Sequence, residues 1–92
     1  MATARPIAEV RYTSKFEKAL RNMPFFVQRA FMEKERFLRE NVFHPLLNTH
    51  KLGGKYKMFW AFTVVGQHRV MFFFLRDHIV VLVNIGTHSI YK

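Results

Sequence analysis

The sequence contains no cysteine and only six acidic residues among its 92 positions. The missing cysteines exclude a disulfide framework and a thiolate metal site, and they fit a reducing compartment such as the cytoplasm. The longest apolar run covers residues 70–75, far fewer than the roughly 20 residues that cross a bilayer. Residues 1–9 lack the apolar core of a signal peptide. We therefore expect a single cytoplasmic domain over residues 1–92.

The few acids are outnumbered by fifteen basic residues, which gives a net charge of +9. Residues 1–45 hold nine bases and five acids, whereas residues 46–92 hold six bases and one acid, Asp77. The charge of the second half therefore has almost no local compensation. This balance favours a polyanionic partner, such as nucleic acid, an acidic protein or anionic lipid, over a basic surface without a partner.

The first half predicts a short strand over residues 7–12 and then two helices. Ser14-Lys15-Phe16-Glu17 is a capping box, which places the start of the first helix at Ser14. That helix ends before Pro24, which suits the first turn of a second helix reaching about residue 41. An apolar stripe at helical spacing marks the second helix: Phe26, Val27, Ala30, Phe31, Phe37 and Leu38.

The second half predicts a loop over residues 46–54 and three strands. Four apolar residues alternate along the first strand: Met58, Trp60, Phe62 and Val64. The other strands, over residues 69–75 and 78–85, are apolar on both faces, so we expect them to be central and covered by helices on one side and by a partner chain on the other.

The predicted fold class is α+β, with an N-terminal αα-hairpin packed on a small, mostly antiparallel sheet of three or four strands. Six residues from both halves are expected to share one core: Phe26, Phe31, Leu38, Phe62, Phe72 and Val81.

Histidines are concentrated in the strand-rich half. Cleavage of RNA without a metal requires a base for the 2′-hydroxyl, an acid for the leaving oxygen and a cation for the phosphorane. Imidazole suits both proton transfers, and His50, His68 and His88 lie near the ends of predicted strands, where they can converge. Each alone fits a surface or packing position better, and only the combination favours a site. The histidines lack HxH or HxxxH spacing, so we expect no metal and no cofactor.

Arg69 begins an apolar strand with no carboxylate nearby in the sequence. It either faces solvent or binds a phosphate, and the sequence leaves both alternatives open. Three lysines surround Gly53-Gly54 without the pattern of a nucleotide-binding loop, and we expect them to contact a nucleic-acid backbone: Lys51, Lys55 and Lys57. Trp60 and Tyr91 can stack on bases, although the alternation around Trp60 favours a core position.

The order of these motifs resembles the RelE/ParE toxin superfamily, and within it the RelE/YafQ-like branch. The resemblance covers about residues 7–91 and is most specific in four segments: His50-Lys51-Leu52-Gly53-Gly54, Trp60-Ala61-Phe62-Thr63, Arg69, and Ile85-Gly86-Thr87-His88. It implies the toxin of a type II toxin–antitoxin system, a ribosome-dependent mRNA interferase that needs no metal. The implied partners are the ribosome, its mRNA and a cognate acidic antitoxin, with no membrane and no small-molecule cofactor.

The resemblance also implies roles for individual residues. His88 corresponds to a proton-transfer residue after the last strand, and Arg69 to the strand arginine that stabilises the phosphate. His50 corresponds to the histidine of the loop before the sheet, and Tyr91 to the C-terminal aromatic residue. His68 joins them as a fifth candidate for catalysis. Two alternatives exist on the same fold: a ParE-like inhibitor of DNA gyrase without nuclease activity, and a degenerate RNA-binding homologue.

Overall fold

The computed structural model describes residues 4–91, in which two helices pack on one face of a five-stranded sheet. The elements are β1 (Glu9–Tyr12), α1 (Ser14–Arg21), α2 (Phe25–Glu40), β2 (His50–Lys51), β3 (Trp60–Val65), β4 (His68–Arg76) and β5 (Ile79–Gly86). Three short 3₁₀ segments cover Pro45–Leu47, Gly54–Tyr56 and His88–Tyr91. The strand order is β1-β5-β4-β3-β2, with β1 parallel to β5 and every other pair antiparallel. No helix within residues 4–91 is both long and apolar enough to cross a membrane.

The predicted α+β class and the helical hairpin on a mostly antiparallel sheet are confirmed, but the sheet has five strands rather than three or four. The additional strand is β2, inside the segment that the sequence predicts to be a loop. His50 and Lys51 pair with Ala61 and Trp60 of β3. Two residues are too few for an alternating pattern, so this strand leaves no periodic signal in the sequence.

The first helix is capped by Thr13 and not by Ser14. The Thr13 hydroxyl oxygen accepts a hydrogen bond from the Phe16 N–H at 3.0 Å, as an N-cap does. The same hydroxyl donates to the carbonyl oxygen of Leu82 at 3.1 Å. Attachment to β5 therefore selects Thr13 as the cap, a tertiary contact that the local capping-box pattern does not contain.

The core lies between the helices and one face of the sheet, and four of the six residues predicted for it are there. Phe31, Leu38, Phe62 and Phe72 are buried, which confirms the register of α2. Phe26 is 59% exposed, because the buried stripe of α2 passes through its neighbour Val27.

Val81 is only partly buried, so its assignment to this core is also wrong. Its neighbours Val80 and Leu82 point to the helices, and successive residues of a strand point to opposite faces. Val81 pairs with Phe73 on the face that no helix covers, which we call the open face. The strands β4 and β5 are central in the sheet, as their two-sided apolar sequences predict.

Tyr12 makes the stability of the fold depend on pH in the alkaline range. Its hydroxyl donates to the Glu35 carboxylate, and its ring stacks on Phe16 with centroids 5.8 Å apart. Burial, supported by the hydrogen bond to Glu35, raises the pKa of Tyr12 to about 12 from an ordinary 10.0. A raised pKa means that the fold favours the neutral phenol, so this contribution to stability is complete below pH 10 and is lost as the pH rises to about 12.

We predict that Tyr12→Phe lowers the free energy of unfolding by about 1 kcal/mol below pH 10, and that the deficit disappears as the pH approaches about 12. The magnitude is modest because Tyr12 is 39% exposed. Urea unfolding of both proteins across this range is the measurement. The remaining tyrosines are common to both proteins, so their contributions cancel in the difference. A deficit that stays constant with pH would contradict the assignment.

Candidate functional site

A cleft of about 430 Å³ opens at one end of the sheet. Parts of β2, the following loop, the start of β4 and the C-terminal 3₁₀ segment form its walls. Its lining residues are His50, Leu52, Gly53, Tyr56, Gln67, Arg69, His88 and Tyr91. Four of the five residues that the sequence analysis nominates for catalysis are therefore brought together: His50, Arg69, His88 and Tyr91.

The strand register places His50 and Arg69 on the open face. His50 of β2 pairs with Ala61 of β3, whereas Arg69 of β4 pairs with Thr63 of β3. Ala61 and Thr63 are two residues apart and therefore point to the same face, and paired residues on neighbouring strands share a face. His50 and Arg69 thus lie on either side of β3, above small side chains that leave room between them.

Gly86 allows the C-terminal segment to fold back over this face. It pairs with Arg69 at the end of β5 and is buried. A Cβ atom added at Gly86 would lie only 2.8 Å from Cγ2 of Ile90, which is itself 7% exposed. The chain then turns, with the Ile90 N–H donating to the Thr87 carbonyl at 3.1 Å. Close packing of Ile90 against a glycine therefore fixes the 3₁₀ segment that carries two cleft residues, His88 and Tyr91.

The aromatic side chains of the cleft contact one another edge to face. The His88 and Tyr91 ring centroids are 6.2 Å apart, and those of Tyr91 and Tyr56 are 6.3 Å apart. Burial raises the pKa of Tyr91, and the nearby positive charge of Arg69 opposes this only in part. The Tyr91 phenol is therefore neutral at physiological pH and can donate a hydrogen bond.

Arg69 has no carboxylate partner in the described part of the chain. Its Nη1 donates to the carbonyl oxygen of Gln67 at 3.1 Å. The ion pairs found within residues 4–91 all lie outside the cleft: Arg5–Asp77, Arg11–Glu9 and Arg39–Glu35. Most of the guanidinium's donors therefore stay available for an anion, which favours the phosphate alternative over the solvent-facing one.

The other histidines lie elsewhere. His68 begins β4 but does not line the cleft, and its ring lies edge-on to Phe26 of α2 with centroids 6.1 Å apart. Neighbouring residues of a strand face opposite sides, so placing Arg69 in the cleft directs His68 towards the helices. His44 stacks on Phe37, and His78 lies in the turn before β5. Residues 4–91 contain no group of three His, Cys, Asp or Glu residues suited to hold a metal ion.

Several solved structures share this architecture. The toxin–antitoxin complex RelBE2 from Mycobacterium tuberculosis matches with a TM-score of 0.72 at 15% identity, covering 97% of each chain. The RelB–RelE antitoxin–toxin complex from Methanococcus jannaschii matches with a TM-score of 0.70 at 19% identity, covering 88% of this chain and 94% of that chain. This chain has the RelE-like toxin fold. YafQ from Escherichia coli adds a TM-score of 0.62 at 17% identity, with 89% and 94% covered.

No protein-family model and no curated protein sequence matches the chain. A conserved protein from Helicobacter pylori also shares the fold, at 20% identity. Because none of these four structures exceeds 20% identity, the comparisons establish the fold alone.

Within the RelE-like fold, the three lysines nominated for RNA binding are exposed in the segment that supplies part of the cleft wall: Lys51, Lys55 and Lys57. Lys51 follows His50 in β2 and pairs with Trp60, so its side chain leaves the sheet on the face opposite the cleft. The Lys51 Nζ lies 6.0 Å from the Trp60 ring centroid, and the Lys55 Nζ lies 5.2 Å from that of Tyr56. Trp60 is partly buried against Phe74, as its alternating pattern predicts.

Sequence reasoning missed Tyr56, Gln67 and Leu52 as lining residues. Tyr56 had one available signal, since it stands between Lys55 and Lys57 in the basic loop. Gln67 had none, because a glutamine after a glycine in a two-residue turn is ordinary turn chemistry.

We predict that Gly86→Ala destabilises the protein by about 1–3 kcal/mol, as overpacking of a filled site does, and displaces the segment that carries His88 and Tyr91. Urea unfolding gives the free energy, and the methyl NMR signals of Ile90 report the displacement. Gly53→Ala is the matched control: Gly53 also lines the cleft, but a Cβ there meets nothing within 4 Å. Equal effects of the two changes would refute the packing argument.

Proposed function

We propose that the protein is the toxin of a type II toxin–antitoxin system and cleaves mRNA on the ribosome without a metal. The observation that carries the proposal is the composition of the cleft, where two imidazoles, a guanidinium without a carboxylate and a neutral phenol meet. These groups supply a base, an acid and stabilising donors, which are the requirements for transfer of a phosphoryl group from one RNA oxygen to another.

The proposed reaction begins when His50 takes the proton of a ribose 2′-hydroxyl. The 2′-oxygen then forms a bond to the adjacent phosphorus, and the bond from phosphorus to the 5′-oxygen of the next nucleotide breaks. His88 donates the proton that this leaving oxygen takes up. The products are a 2′,3′-cyclic phosphate and a free 5′-hydroxyl, so atoms and protons balance without a metal or a second substrate.

Arg69 and Tyr91 stabilise the negative charge that builds up on the phosphorane. A planar guanidinium can contact two non-bridging oxygens at once, which lysine cannot do. The neutral phenol of Tyr91 adds a donor that carries no charge of its own. The low local content of acid favours this role, because no carboxylate within the cleft competes for the guanidinium.

Charge favours RNA as the substrate. Asp77, the one acid of residues 46–92, is held by Arg5, whose Nη2 lies 3.2 Å from its Oδ1. The exposed lysines beside the cleft are therefore unopposed in their own half of the chain. Such a field attracts phosphates and adds a salt-dependent term to binding. The ribosome as the site of action follows from the resemblance to RelE-type toxins and belongs to the proposal.

An acidic antitoxin is the proposed protein partner, acting with the toxin in the cytoplasm. Two of the solved structures that share the fold, RelBE2 and RelB–RelE, are complexes of a toxin with its antitoxin. The open face, with Phe73 and Val81 partly exposed, offers apolar surface within a strongly basic chain. A disordered acidic segment can cover such a surface by folding on it.

The change that tests the mechanism is His88→Ala, alongside Arg69→Lys. We expect the first to slow single-turnover cleavage about 10²–10⁴-fold, the usual contribution of a positioned acid or base, while ribosome binding stays nearly intact. Arg69→Lys is expected to slow cleavage as well, because it keeps the charge but removes the bidentate contact. Mapping of mRNA 5′ ends in a translating extract measures the cleavage.

The controls separate chemistry from binding. His78→Ala removes a histidine outside the cleft and should leave cleavage unchanged. Replacing Lys51, Lys55 and Lys57 by glutamine should weaken ribosome binding and flatten its salt dependence. The same charge loss at Lys15, Lys18 and Arg21 of α1 should have a smaller effect. If wild type and His88→Ala are equally toxic and neither cleaves mRNA, the nuclease assignment fails and inhibition of DNA gyrase takes its place.

The antitoxin proposal predicts tight binding of the acidic product of the neighbouring gene, largely insensitive to moderate salt because apolar contacts add to charge. Isothermal calorimetry at two salt concentrations measures the affinity, and a negative heat-capacity change marks the burial of apolar surface. Phe73→Ser on the open face should weaken binding at both concentrations. Absence of any binding would remove the toxin–antitoxin assignment while leaving the cleavage test unaffected.

A further inference from the structure

The backbone between α2 and β2 forms hydrogen bonds to the Nδ1 atoms of two histidines, His44 and His50. The Nδ1 of one accepts a hydrogen bond and the Nδ1 of the other donates one. The Nδ1 of His44 accepts a hydrogen bond from the Leu46 backbone N–H at 3.1 Å, so His44 carries its proton on Nε2 when neutral. The Nδ1 of His50 lies 3.1 Å from the carbonyl oxygen of Asn48, which can only accept. His50 must therefore carry its proton on Nδ1.

This difference decides which histidine can act as a base towards the cleft. With the proton on Nδ1, the lone pair of neutral His50 is on Nε2, the nitrogen at the far end of the ring. His50 lines the cleft, whereas His44 does not. The tautomer set by Asn48 is thus the one in which the outer nitrogen of His50 can receive a proton.

The Asn48 carbonyl is oriented by an unusual backbone conformation of Asn48 itself. Asn48 adopts φ 53° and ψ 42°, which makes it the only non-glycine residue with a positive φ among residues 4–91. L-residues with a Cβ avoid this left-handed region, and asparagine is among those that tolerate it best.

The surrounding turn maintains that conformation. The Asn48 N–H donates to the Pro45 carbonyl at 3.3 Å and ends the 3₁₀ segment. The Thr49 hydroxyl donates to the Val42 carbonyl at 2.6 Å, which ties the chain after the turn to the chain before it. A left-handed residue between these two contacts reverses the chain, and its carbonyl then meets the His50 ring two residues later.

We propose that Asn48 is a positioning residue: its left-handed backbone presents a carbonyl oxygen that holds His50 in the Nδ1–H tautomer, leaving Nε2 to accept the 2′-hydroxyl proton of a bound RNA strand. This inference rests on the proposed function, in which His50 is the base. Asn48, which does not line the cleft, thereby sets the protonation pattern of His50, which does.

The first test is the wild-type tautomer, measured by long-range ¹H–¹⁵N NMR of the ¹⁵N-labelled full chain at a pH where imidazoles are neutral. We expect Nδ1–H at His50 and Nε2–H at His44. His78, with Nδ1 3.0 Å from the Pro6 carbonyl oxygen, provides a second Nδ1–H reference. An Nε2–H signal for His50 overturns the proposal without the need for any variant.

The second test changes the backbone preference at residue 48. Asn48→Val disfavours the left-handed conformation and should shift the tautomer ratio of His50 about two- to tenfold towards Nε2–H, the range of one net hydrogen bond. Asn48→Gly adopts the conformation freely and should retain Nδ1–H. His44 should be unchanged in both. Retention of Nδ1–H in Asn48→Val overturns the proposal, and Asn48→Ala replaces that variant if it does not fold.

Cleavage links the tautomer to the reaction. Asn48→Val should slow single-turnover cleavage in proportion to the fraction of His50 that leaves the Nδ1–H tautomer, and by no more than the two- to tenfold change in the tautomer ratio, with ribosome binding unchanged. Asn48→Gly should keep the wild-type rate. A tautomer shift without any change in rate overturns the role of His50 as base but leaves His88 and Arg69 in place. Absence of cleavage by the wild type overturns the proposed function itself, while the NMR result still decides how His50 is held.

Discussion

The cleft depends on one packing constraint, the close approach of Ile90 to the bare backbone of Gly86. Arg69 pairs with this glycine across β4 and β5. Because Gly86 has no side chain, the C-terminal segment can pack into the space beside the Arg69 guanidinium. That segment brings His88 and Tyr91 to a cation that the sheet already holds. The sheet supplies Arg69, and a short terminal segment supplies His88 and Tyr91, two of the groups to which the proposed function assigns roles. Rigid support for the charged group is what preorganised electrostatic stabilisation requires.

The uncompensated positive charge of the cleft follows from the positions of the acidic residues. A partly buried guanidinium loses hydration, and most folds compensate it with a carboxylate. Here the one acid of the second half, Asp77, is attached to Arg5 at the opposite end of β4, where the Arg5 guanidinium also lies 4.3 Å from the Phe74 ring centroid. The chain therefore neutralises charge where it stabilises the fold and leaves charge uncompensated at the cleft. The proposed function uses the free donors of Arg69, because charge-assisted hydrogen bonds to a phosphate are stronger than neutral ones.

The sequence predicted those features that repeat along the chain, and missed those that depend on a single long-range contact. Helical spacing in α2 was sufficient for the hairpin and the register of Phe31, and alternation in β3 was sufficient for the buried face of the sheet. Met58, the first residue of the predicted alternation, is an exception, because it lies in the turn before β3 and is exposed. The wrong assignments are local exceptions. Thr13 replaces Ser14 as the cap because it also bonds to β5. Phe26 is exposed because the buried stripe of α2 passes through Val27, and Val81 lies on the open face because its neighbours Val80 and Leu82 face the helices. Two-residue β2 has no period to detect. The convergence of His50 with Arg69 was foreseeable only as the consequence of strand order, and the exclusion of His68 followed from the pleat.

The turn at residues 44–50 shows how a fold can set chemistry without adding a group to the site. A histidine on a flexible loop exchanges its proton between both ring nitrogens, so only part of its population can serve as a base through a given nitrogen. Here one 3₁₀ turn uses His44 as an acceptor to cap its start and offers a carbonyl after its end to His50 as a donor. The two histidines are chemically identical and six residues apart, yet the backbone between them gives them opposite protonation patterns. Which of them can act as a base is therefore a property of the turn, and in particular of the left-handed conformation of Asn48.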